Sequence, residues 1–206
     1  MFAGDGEGQL HAYDARQGRE LWHFDAKLGI IGAPITYAVG GRQYVSILVG
    51  YGGAVGYGTD LASQGWKYNA QPRRLLTFTL DGKAQLPATA ARDFSVNALD
   101  KPELAIDYPV ANAGATLFGL ACALCHGLGT RSAGLAPDLR ESAVALELTS
   151  FSAALSQGSF AKNGMPKFND LSAAEVSALY QYIRAKAREQ QGTGTSVPDV
   201  LGFGGH

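Results

Sequence analysis

Two kinds of hydrophobic pattern divide the chain near residue 105. Before that point, glycines separate short runs rich in β-branched and aromatic residues, such as "APITYAV" and "RQYVSILVG", which are typical of strands. Gly40 and Gly41 lie between these two runs as the central pair of a two-residue hairpin, a position that favours residues able to adopt positive φ. After residue 105 the apolar positions follow helical spacing. The pattern therefore predicts a β structure followed by a helical one.

Helical spacing is clearest in three segments of the second half. Residues 111–125 are rich in alanine and lead directly into a cysteine motif. Residues 146–158 carry apolar side chains at helical spacing and end in a glycine that can stop a helix. In residues 171–190, Ser172 and Glu175 have capping-box spacing, and apolar residues follow at i, i+3, i+4 and i+7.

Two segments interrupt these patterns. Residues 51–72 contain too many glycines for a strand and predict a long loop, and loops of this length are often functional. Residues 93–114 include two prolines and show no sustained period, which favours a linker. The predicted organisation is a β segment over 1–90, a linker over 91–106, a helical domain over 107–190 and a flexible tail over 191–206.

Composition and charge narrow the possible functions. The 206 residues, 46% of them hydrophobic, suffice for one medium domain or two small ones with a buried core. The net charge is -1 and no run of Lys or Arg occurs, so no nucleic-acid partner is expected.

The segment "CALCH" is the main chemical signal. Cys122 and Cys125 are the only cysteines, so only a local role is possible within this sequence. A thioredoxin-like redox pair is expected near a βαβ pattern, which this region lacks. Structural zinc needs four ligands, and the histidines outside the motif, His11, His23 and His206, have no paired ligand spacing. Both roles remain as alternatives.

The histidine directly after the second cysteine favours covalently bound haem. In a C-x-x-C-H segment, the thiols form thioethers with the haem and the imidazole reaches the iron. Cys122 and Cys125 would then anchor haem c, with His126 as the proximal ligand. An electron-transfer cytochrome uses a sixth ligand, and a methionine raises its reduction potential. Met165, in the loop "KNGMPKF", is the only internal methionine and is the predicted axial ligand.

Residues 107–190 as a whole resemble a class I cytochrome c domain. The likeness lies in the order of features: the C-x-x-C-H helix, the loop "APDLR", a middle helix, the methionine loop and a final amphipathic helix. It implies that Pro137 lies on the imidazole side of the haem and that Arg140 is a candidate partner for a propionate. A plain turn role for Pro137 and a solvated surface charge for Arg140 are the alternatives.

The segment "AYDARQGRELW" matches the tryptophan-docking repeat of the quinoprotein propellers. Ala12, Asp14, Gly18 and Trp22 occupy the pattern A-x-D-x-x-x-G-[KR]-x-x-W. In that family the tryptophan packs between neighbouring blades, and the aspartate and glycine close a tight turn. A generic β-hairpin with an aromatic core residue is the alternative.

Together, the two halves resemble the C-terminal end of a quinohaemoprotein alcohol dehydrogenase. That family has an eight-bladed β-propeller, carrying pyrroloquinoline quinone (PQQ) and Ca²⁺, fused to a cytochrome c domain. The resemblance implies a multidomain fold, with an all-β propeller segment followed by an all-α cytochrome c domain. The family's glycine-rich loop approaches the quinone, which places Gly53 and Ala54 near PQQ.

The β half is too short to close a propeller. A blade takes roughly 40 to 50 residues and a propeller needs at least about four blades. We therefore expect this sequence to be completed by upstream blades, in the same or another polypeptide. The family's catalytic aspartate and Ca²⁺ ligands belong to those blades, so no catalytic residue is assigned here and the chain alone is expected to be inactive.

The resemblance implies an enzyme that oxidises alcohols to aldehydes or ketones. Electrons would pass from reduced PQQ to the haem and then to an external acceptor, either a copper protein, another cytochrome or a quinol-linked membrane subunit. It also implies the bacterial periplasm, with any membrane association through a partner subunit. The alternatives are a stand-alone periplasmic electron-transfer module, and the same architecture acting on a sugar or an aldehyde.

Overall fold

The fold is described from a computed structural model. It describes residues 1–30, 32–50, 65–132 and 135–199. The chain divides into two compact units: the first comprises Met1–Phe94 with Ala133–Leu135, and the second comprises Ser95–Ser132 with Ala136–His206. The first unit is built of strands and the second of helices.

Within the described residues, the first unit contains two three-stranded antiparallel sheets. The strands are β1 (Phe2–Gly4), β2 (Gln9–Tyr13) and β3 (Glu20–Asp25) in one sheet, and β4 (Ile35–Val39), β5 (Arg42–Val49) and β6 (Arg74–Phe78) in the other. Neighbours in each sheet are consecutive in the chain. Apolar side chains from both sheets, among them Leu10 of β2 and Ile47 of β5, form one core.

The predicted hairpin is confirmed. Val39 pairs with Arg42, and Gly40 and Gly41 have φ values of 58° and 78°. Two consecutive residues with positive φ define the turn that matches the twist of paired strands. The glycines therefore fix the register of β4 and β5, in which Ile47 and Val49 are buried and Leu48 between them is exposed.

The tight turn of the tryptophan-docking pattern is also confirmed. The carboxylate of Asp14 accepts hydrogen bonds from the backbone N–H groups of Arg16 at 2.8 Å and Gln17 at 3.0 Å. These bonds lower the pKa of Asp14. Gly18 closes the turn with a φ of 67°.

Trp22 packs between the two sheets. Its ring stacks on Phe24 of the same strand at 5.9 Å between centroids and meets Phe78 of β6 edge-on at 5.5 Å. Phe24 and Phe78 are themselves 4.9 Å apart. Trp22 therefore contacts aromatic side chains of both sheets while it stays 40% exposed, and its packing between propeller blades stays a prediction.

The second unit contains the predicted helices. They are α1 (Tyr108–Ala121), α2 (Ala123–His126), α3 (Leu148–Gln157) and α4 (Ala173–Gln191). The capping box between Ser172 and Glu175 is formed at the start of α4, and Gly158 ends α3 with a φ of 69°. Helices α1 and α4 pack closely, because a Cβ atom at Gly114 would lie 2.0 Å from the carbonyl oxygen of Ala178.

Two segments outside the helices are fixed on this unit. In the predicted linker, the N–H of Leu99 donates to the carbonyl of Arg140 at 2.8 Å, and Arg188 of α4 binds Asp100 at 2.9 Å. In the predicted flexible tail, Val197 is 1% exposed. The tail is therefore packed up to residue 199 rather than free, because its side chains bind α4.

In the described part of the chain, no single helix is long and apolar enough to cross a membrane. Helix α1 together with Ala123–Thr130 passes the length and composition criteria, but these two pieces are bent by 82°.

Candidate haem site

The C-x-x-C-H motif forms one helical turn at the sharp bend after α1. Cys122 ends α1, and its carbonyl oxygen accepts from the N–H of Cys125 at 3.1 Å and from the N–H of His126 at 2.9 Å. Residues separated by three and four positions lie on the same face of a helix. The two thiols and the imidazole are therefore presented to the same side, as attachment and ligation of a single haem require.

His126 is held in the form that binds a metal. Its Nδ1 lies 2.8 Å from the carbonyl oxygen of Pro137, and because a carbonyl can only accept, Nδ1 carries the proton. Nε2 then offers its lone pair to a metal. In a ligating histidine, a hydrogen bond from the other ring nitrogen fixes both the tautomer and the orientation of the ring. Burial lowers the pKa of His126, against the opposing effect of the Pro137 bond, so the ring is neutral at neutral pH.

The contact with Pro137 places this residue on the imidazole side, as the cytochrome resemblance implies. Pro137 therefore has more than a turn role, because its carbonyl oxygen accepts the hydrogen bond from His126. The following residues hold this carbonyl in place: the carboxylate of Asp138 accepts from the backbone N–H of Arg140 at 2.9 Å and caps a short 3-10 turn.

Burial keeps the thiol of Cys122 in its uncharged form. Both cysteines are free and half-buried, and burial, assisted by the neighbouring Cys125, raises the pKa of Cys122 to about 12. A redox-active cysteine needs a lowered pKa, so this observation disfavours the redox alternative. The zinc alternative stays open, because a bound metal itself lowers the pKa of its thiol ligands.

Arg140 is buried, so the expectation of a solvated surface charge is wrong. Its Nε and Nη2 bind the two carboxylate oxygens of Asp138 at 3.0 and 2.6 Å, and its Nη1 binds Gln190 at 2.9 Å. The bidentate pair compensates the burial of both charges. A role for Arg140 at a haem propionate stays a prediction.

Met165 lies in the loop between α3 and α4. The residue is half-buried, its N–H binds the carbonyl of Phe160 at 3.3 Å, and it follows Gly164, which has a φ of 90°. Its ligation to iron stays a prediction. Gly53 and Ala54, predicted to approach PQQ, lie outside the described residues.

Two family models match the chain, and each corresponds to one unit. Residues 1–45 match the model described as glucose/ethanol/alcohol dehydrogenase, beta-propeller domain. Residues 109–183 match the model described as cytochrome C oxidase, cbb3-type, subunit III. Strands β1 to β4 and the start of β5 therefore fall in the propeller match, and the C-x-x-C-H turn and α3 fall in the cytochrome match.

Curated proteins are similar to both halves at once. Quinohemoprotein alcohol dehydrogenase ADH IIB of Pseudomonas putida is 41% identical over 92% of this chain and 27% of its own length. The dehydrogenase subunit of alcohol dehydrogenase (quinone) from Acetobacter aceti is 35% identical over 92% of this chain and 25% of its own length. This chain is similar to part of each of these quinohaemoprotein alcohol dehydrogenases. It spans about a quarter of the length of these relatives.

Solved structures of quinohaemoprotein alcohol dehydrogenases resemble the fold. ADHIIG from Pseudomonas putida matches with a TM-score of 0.74 and 33% identity, over 93% of this chain and 27% of that one. The enzyme from Comamonas testosteroni matches with a TM-score of 0.64 and 31% identity, over 91% of this chain and 26% of that one. The resemblance drawn from the sequence motifs is thereby confirmed.

Proposed function

We propose that this chain is part of a PQQ-dependent alcohol dehydrogenase, in which it carries a covalently bound haem c that receives electrons from the quinone. The observation that carries the proposal is the single turn that presents Cys122, Cys125 and His126 together, with His126 Nδ1 fixed by Pro137. That geometry leaves Nε2 available for iron in a chain related to the quinohaemoprotein enzymes.

The chain's own residues would then divide the work of the haem site. Cys122 and Cys125 would anchor the haem through thioethers, His126 and Met165 would ligate its iron, and the hydrogen bond to the carbonyl oxygen of Pro137 would hold the imidazole. The quinone would supply two-electron oxidation of the alcohol, and the haem would supply one-electron transfer to an external acceptor. The second unit needs no catalytic acid or base for this task.

The first unit would be a segment of an eight-bladed propeller. One face of its second sheet supports this proposal, because the face carries exposed apolar side chains: Ile35, Val39, Leu48 and Leu75. Large exposed apolar faces on a sheet mark contact surfaces. Upstream blades would cover this face and would supply the substrate pocket, the catalytic residues and the Ca²⁺ ligands, while Gly53 and Ala54 approach PQQ.

The substrate class in this proposal is a small alcohol, oxidised to an aldehyde or ketone in the bacterial periplasm. The acceptor is a copper protein, a soluble cytochrome or a quinol-linked membrane subunit. The names of the relatives support an alcohol as the substrate and an electron acceptor as the partner.

A mass measurement on the natural polypeptide containing this sequence tests the proposal first. Under denaturing conditions we expect a mass that exceeds the polypeptide by one haem and is well above the 21.6 kDa of these residues. The double replacement of Cys122 and Cys125 by Ala should abolish the added mass. Cysteine-to-alanine changes at both anchors leave His126 in place, so they separate covalent attachment from ligation.

Reduction of the haem by substrate tests the catalytic part. With PQQ and Ca²⁺ bound, addition of a primary alcohol should convert the haem to its reduced spectrum, and omission of PQQ should prevent this. A haem-loaded protein that no alcohol, sugar or aldehyde reduces would instead be a stand-alone electron-transfer module. A polypeptide without covalent haem would return the cysteine pair to the redox or zinc alternatives.

A further inference from the structure

The carbonyl oxygen of Pro137, which accepts the hydrogen bond from His126 Nδ1, belongs to a turn that several other segments hold in place. We name residues 137–140 the acceptor turn. The N–H of Leu99 donates to the carbonyl of Arg140 at 2.8 Å. From α4, the guanidinium of Arg184 donates through Nη2 to the carbonyl of Leu139 at 2.9 Å. The acceptor turn is therefore tied both to the segment before α1 and to the last helix.

Arg184 connects these two attachments. Its Nη1 donates to the carbonyl of Leu99 at 2.9 Å, so one guanidinium bridges Leu99 and Leu139. The planar fork of arginine can bind two carbonyl groups in fixed relative positions, which lysine cannot do. Arg184 thus sets the distance between the segment before α1 and the acceptor turn.

The burial of Arg184 indicates a role beyond packing. The side chain is 0% exposed, and both of its hydrogen bonds go to neutral backbone carbonyls rather than to a carboxylate. In the described part of the chain, its Nε has no hydrogen-bond partner. Burial lowers the pKa of Arg184, which reflects the unfavourable environment for its charge. An apolar side chain of similar volume would be more favourable here if filling space were the only requirement.

We propose that Arg184 is a positioning residue for the haem ligand, which acts through the acceptor turn on the His126–Pro137 hydrogen bond. A strong bond from Nδ1 to a carbonyl makes the imidazole a more basic ligand. A more basic ligand stabilises the oxidised iron, because the oxidised iron carries the greater charge. Arg184 therefore lowers the reduction potential of the haem by holding Pro137 in place. This inference rests on the proposed ligation of iron by His126.

The test is Arg184→Lys in the haem-loaded protein. Lysine keeps the positive charge but cannot hold both carbonyls, so the change isolates position from charge. We expect a higher midpoint potential than in the wild type. We also expect the Nδ1 proton of His126, followed by NMR in the reduced protein, to exchange with water about tenfold faster, because its hydrogen bond is weakened.

Arg188→Lys is the matched control. Arg188 lies one turn further along α4 and binds the same segment before α1, through Asp100 at 2.9 Å and the carbonyl of Lys101 at 2.6 Å. Among the described residues, no side-chain hydrogen bond or ion pair of Arg188 reaches the acceptor turn. This variant should perturb the packing of the segment while leaving the potential and the proton exchange as in the wild type.

Unchanged potential and exchange in Arg184→Lys would overturn the inference, as would equal changes in the Arg188→Lys control. If Arg184→Lys does not accumulate, Arg184→Gln is used with the proton exchange rate alone, because that rate does not respond directly to the lost charge. A wild-type protein without covalent haem would instead contradict the proposed function, so the two failures are distinguishable.

Discussion

At the scale of single residues, the haem site depends on which atom each side chain leaves available. His126 donates a hydrogen bond through Nδ1 to the carbonyl oxygen of Pro137, so the ring presents an unprotonated Nε2. The thiol of Cys122 stays uncharged because burial raises its pKa to about 12. A neutral imidazole beside the uncharged thiol of Cys122 suits a site where the cysteines form carbon–sulfur bonds and only the histidine ligates the metal.

Met165 is the second iron ligand in the proposed function. Replacement of Met165 by Ala should leave the haem covalently bound but lower its midpoint potential, because a thioether ligand raises that potential. It should also allow added imidazole or cyanide to bind the sixth position, which an absorbance titration measures.

The neighbouring replacement Pro166→Ala is the control, since it alters the same loop but keeps the sulfur. It should bind added ligand only weakly and retain a potential near that of the wild type. Equal potentials in wild type and Met165→Ala would remove Met165 from the iron.

At the scale of elements, the segment after α4 is attached to the loop that follows the C-x-x-C-H turn. We name residues 193–199 the strap. Its Asp199 binds Lys186 of α4 at 3.0 Å and Arg131 of the loop at 3.0 Å. The fit is close: a Cβ atom at Gly129, which has a φ of 61°, would lie 2.4 Å from the Asp199 carboxylate. The strap thereby connects α4 with the loop after the C-x-x-C-H turn.

The ion pairs of Asp199 predict a loss of stability in acid. Burial acts to raise the pKa of Asp199, but its bond to Lys186 and the charge of Arg131 outweigh this, so the pKa lies below the ordinary value of 3.8. A carboxyl with a lowered pKa in the folded state stabilises the fold above its unfolded pKa, and this contribution is lost as the pH falls through the folded value. The wild type should therefore lose stability below about pH 4.

Asp199→Asn tests this assignment. The variant should lower the free energy of unfolding at pH 7 by about 2 kcal/mol, since the buried Lys186 loses a charged partner. Part of the acid dependence should disappear with it, as measured by chemical denaturation between pH 3 and 7. The control Glu147→Gln removes a carboxylate from an exposed pair with Lys101 and should change little. Identical acid profiles in wild type and Asp199→Asn would show that the strap is not held by this charge.

The same elements show what the sequence could and could not predict. The Gly40–Gly41 hairpin, the Asp14 turn and the Ser172 capping box are each specified by residues adjacent in the chain, so local patterns predicted them. The burial of Arg184 and Lys186 was missed, because cations near a helix C-terminus also suit the helix dipole and solvent. Only the fold brings the carbonyls of Leu99 and Leu139 to Arg184.

Local patterns also missed how firmly the connecting segments are held. Prolines and an absent period predict a linker over 91–106, and these residues form no helix or strand. The same signals carry no information on Arg184 and Arg188 of α4, which bind Leu99 and Asp100 from more than eighty positions away. The terminal position of residues 191–206 predicts a flexible tail, but among its described residues Asp199 and Val197 are fixed by long-range contacts.

At the scale of the whole molecule, the two units differ in what they leave exposed. In the helical unit, the buried charges of Arg140 and Lys186 are paired with carboxylates of the same unit. In the strand unit, Leu48 and Leu75 are directly opposite on β5 and β6 and are 65% and 66% exposed. The hydroxyls of Tyr37, Ser46 and Thr77 are linked across the same face. An ordered apolar face of this kind is suited to packing against a further sheet.

Leu48→Gln tests whether that face is covered in the natural protein. If a propeller blade packs there, replacement should lower the free energy of unfolding of the natural polypeptide by about 1.5 to 3 kcal/mol, because a buried leucine side chain is lost and a polar group is introduced. Chemical denaturation measures the change. Ile47→Gln, on the opposite face and 2% exposed, is the reference for a core position and should be at least as destabilising. A change within about 0.5 kcal/mol at Leu48, together with a large loss at Ile47, would mean that the face remains in water and that no blade covers it.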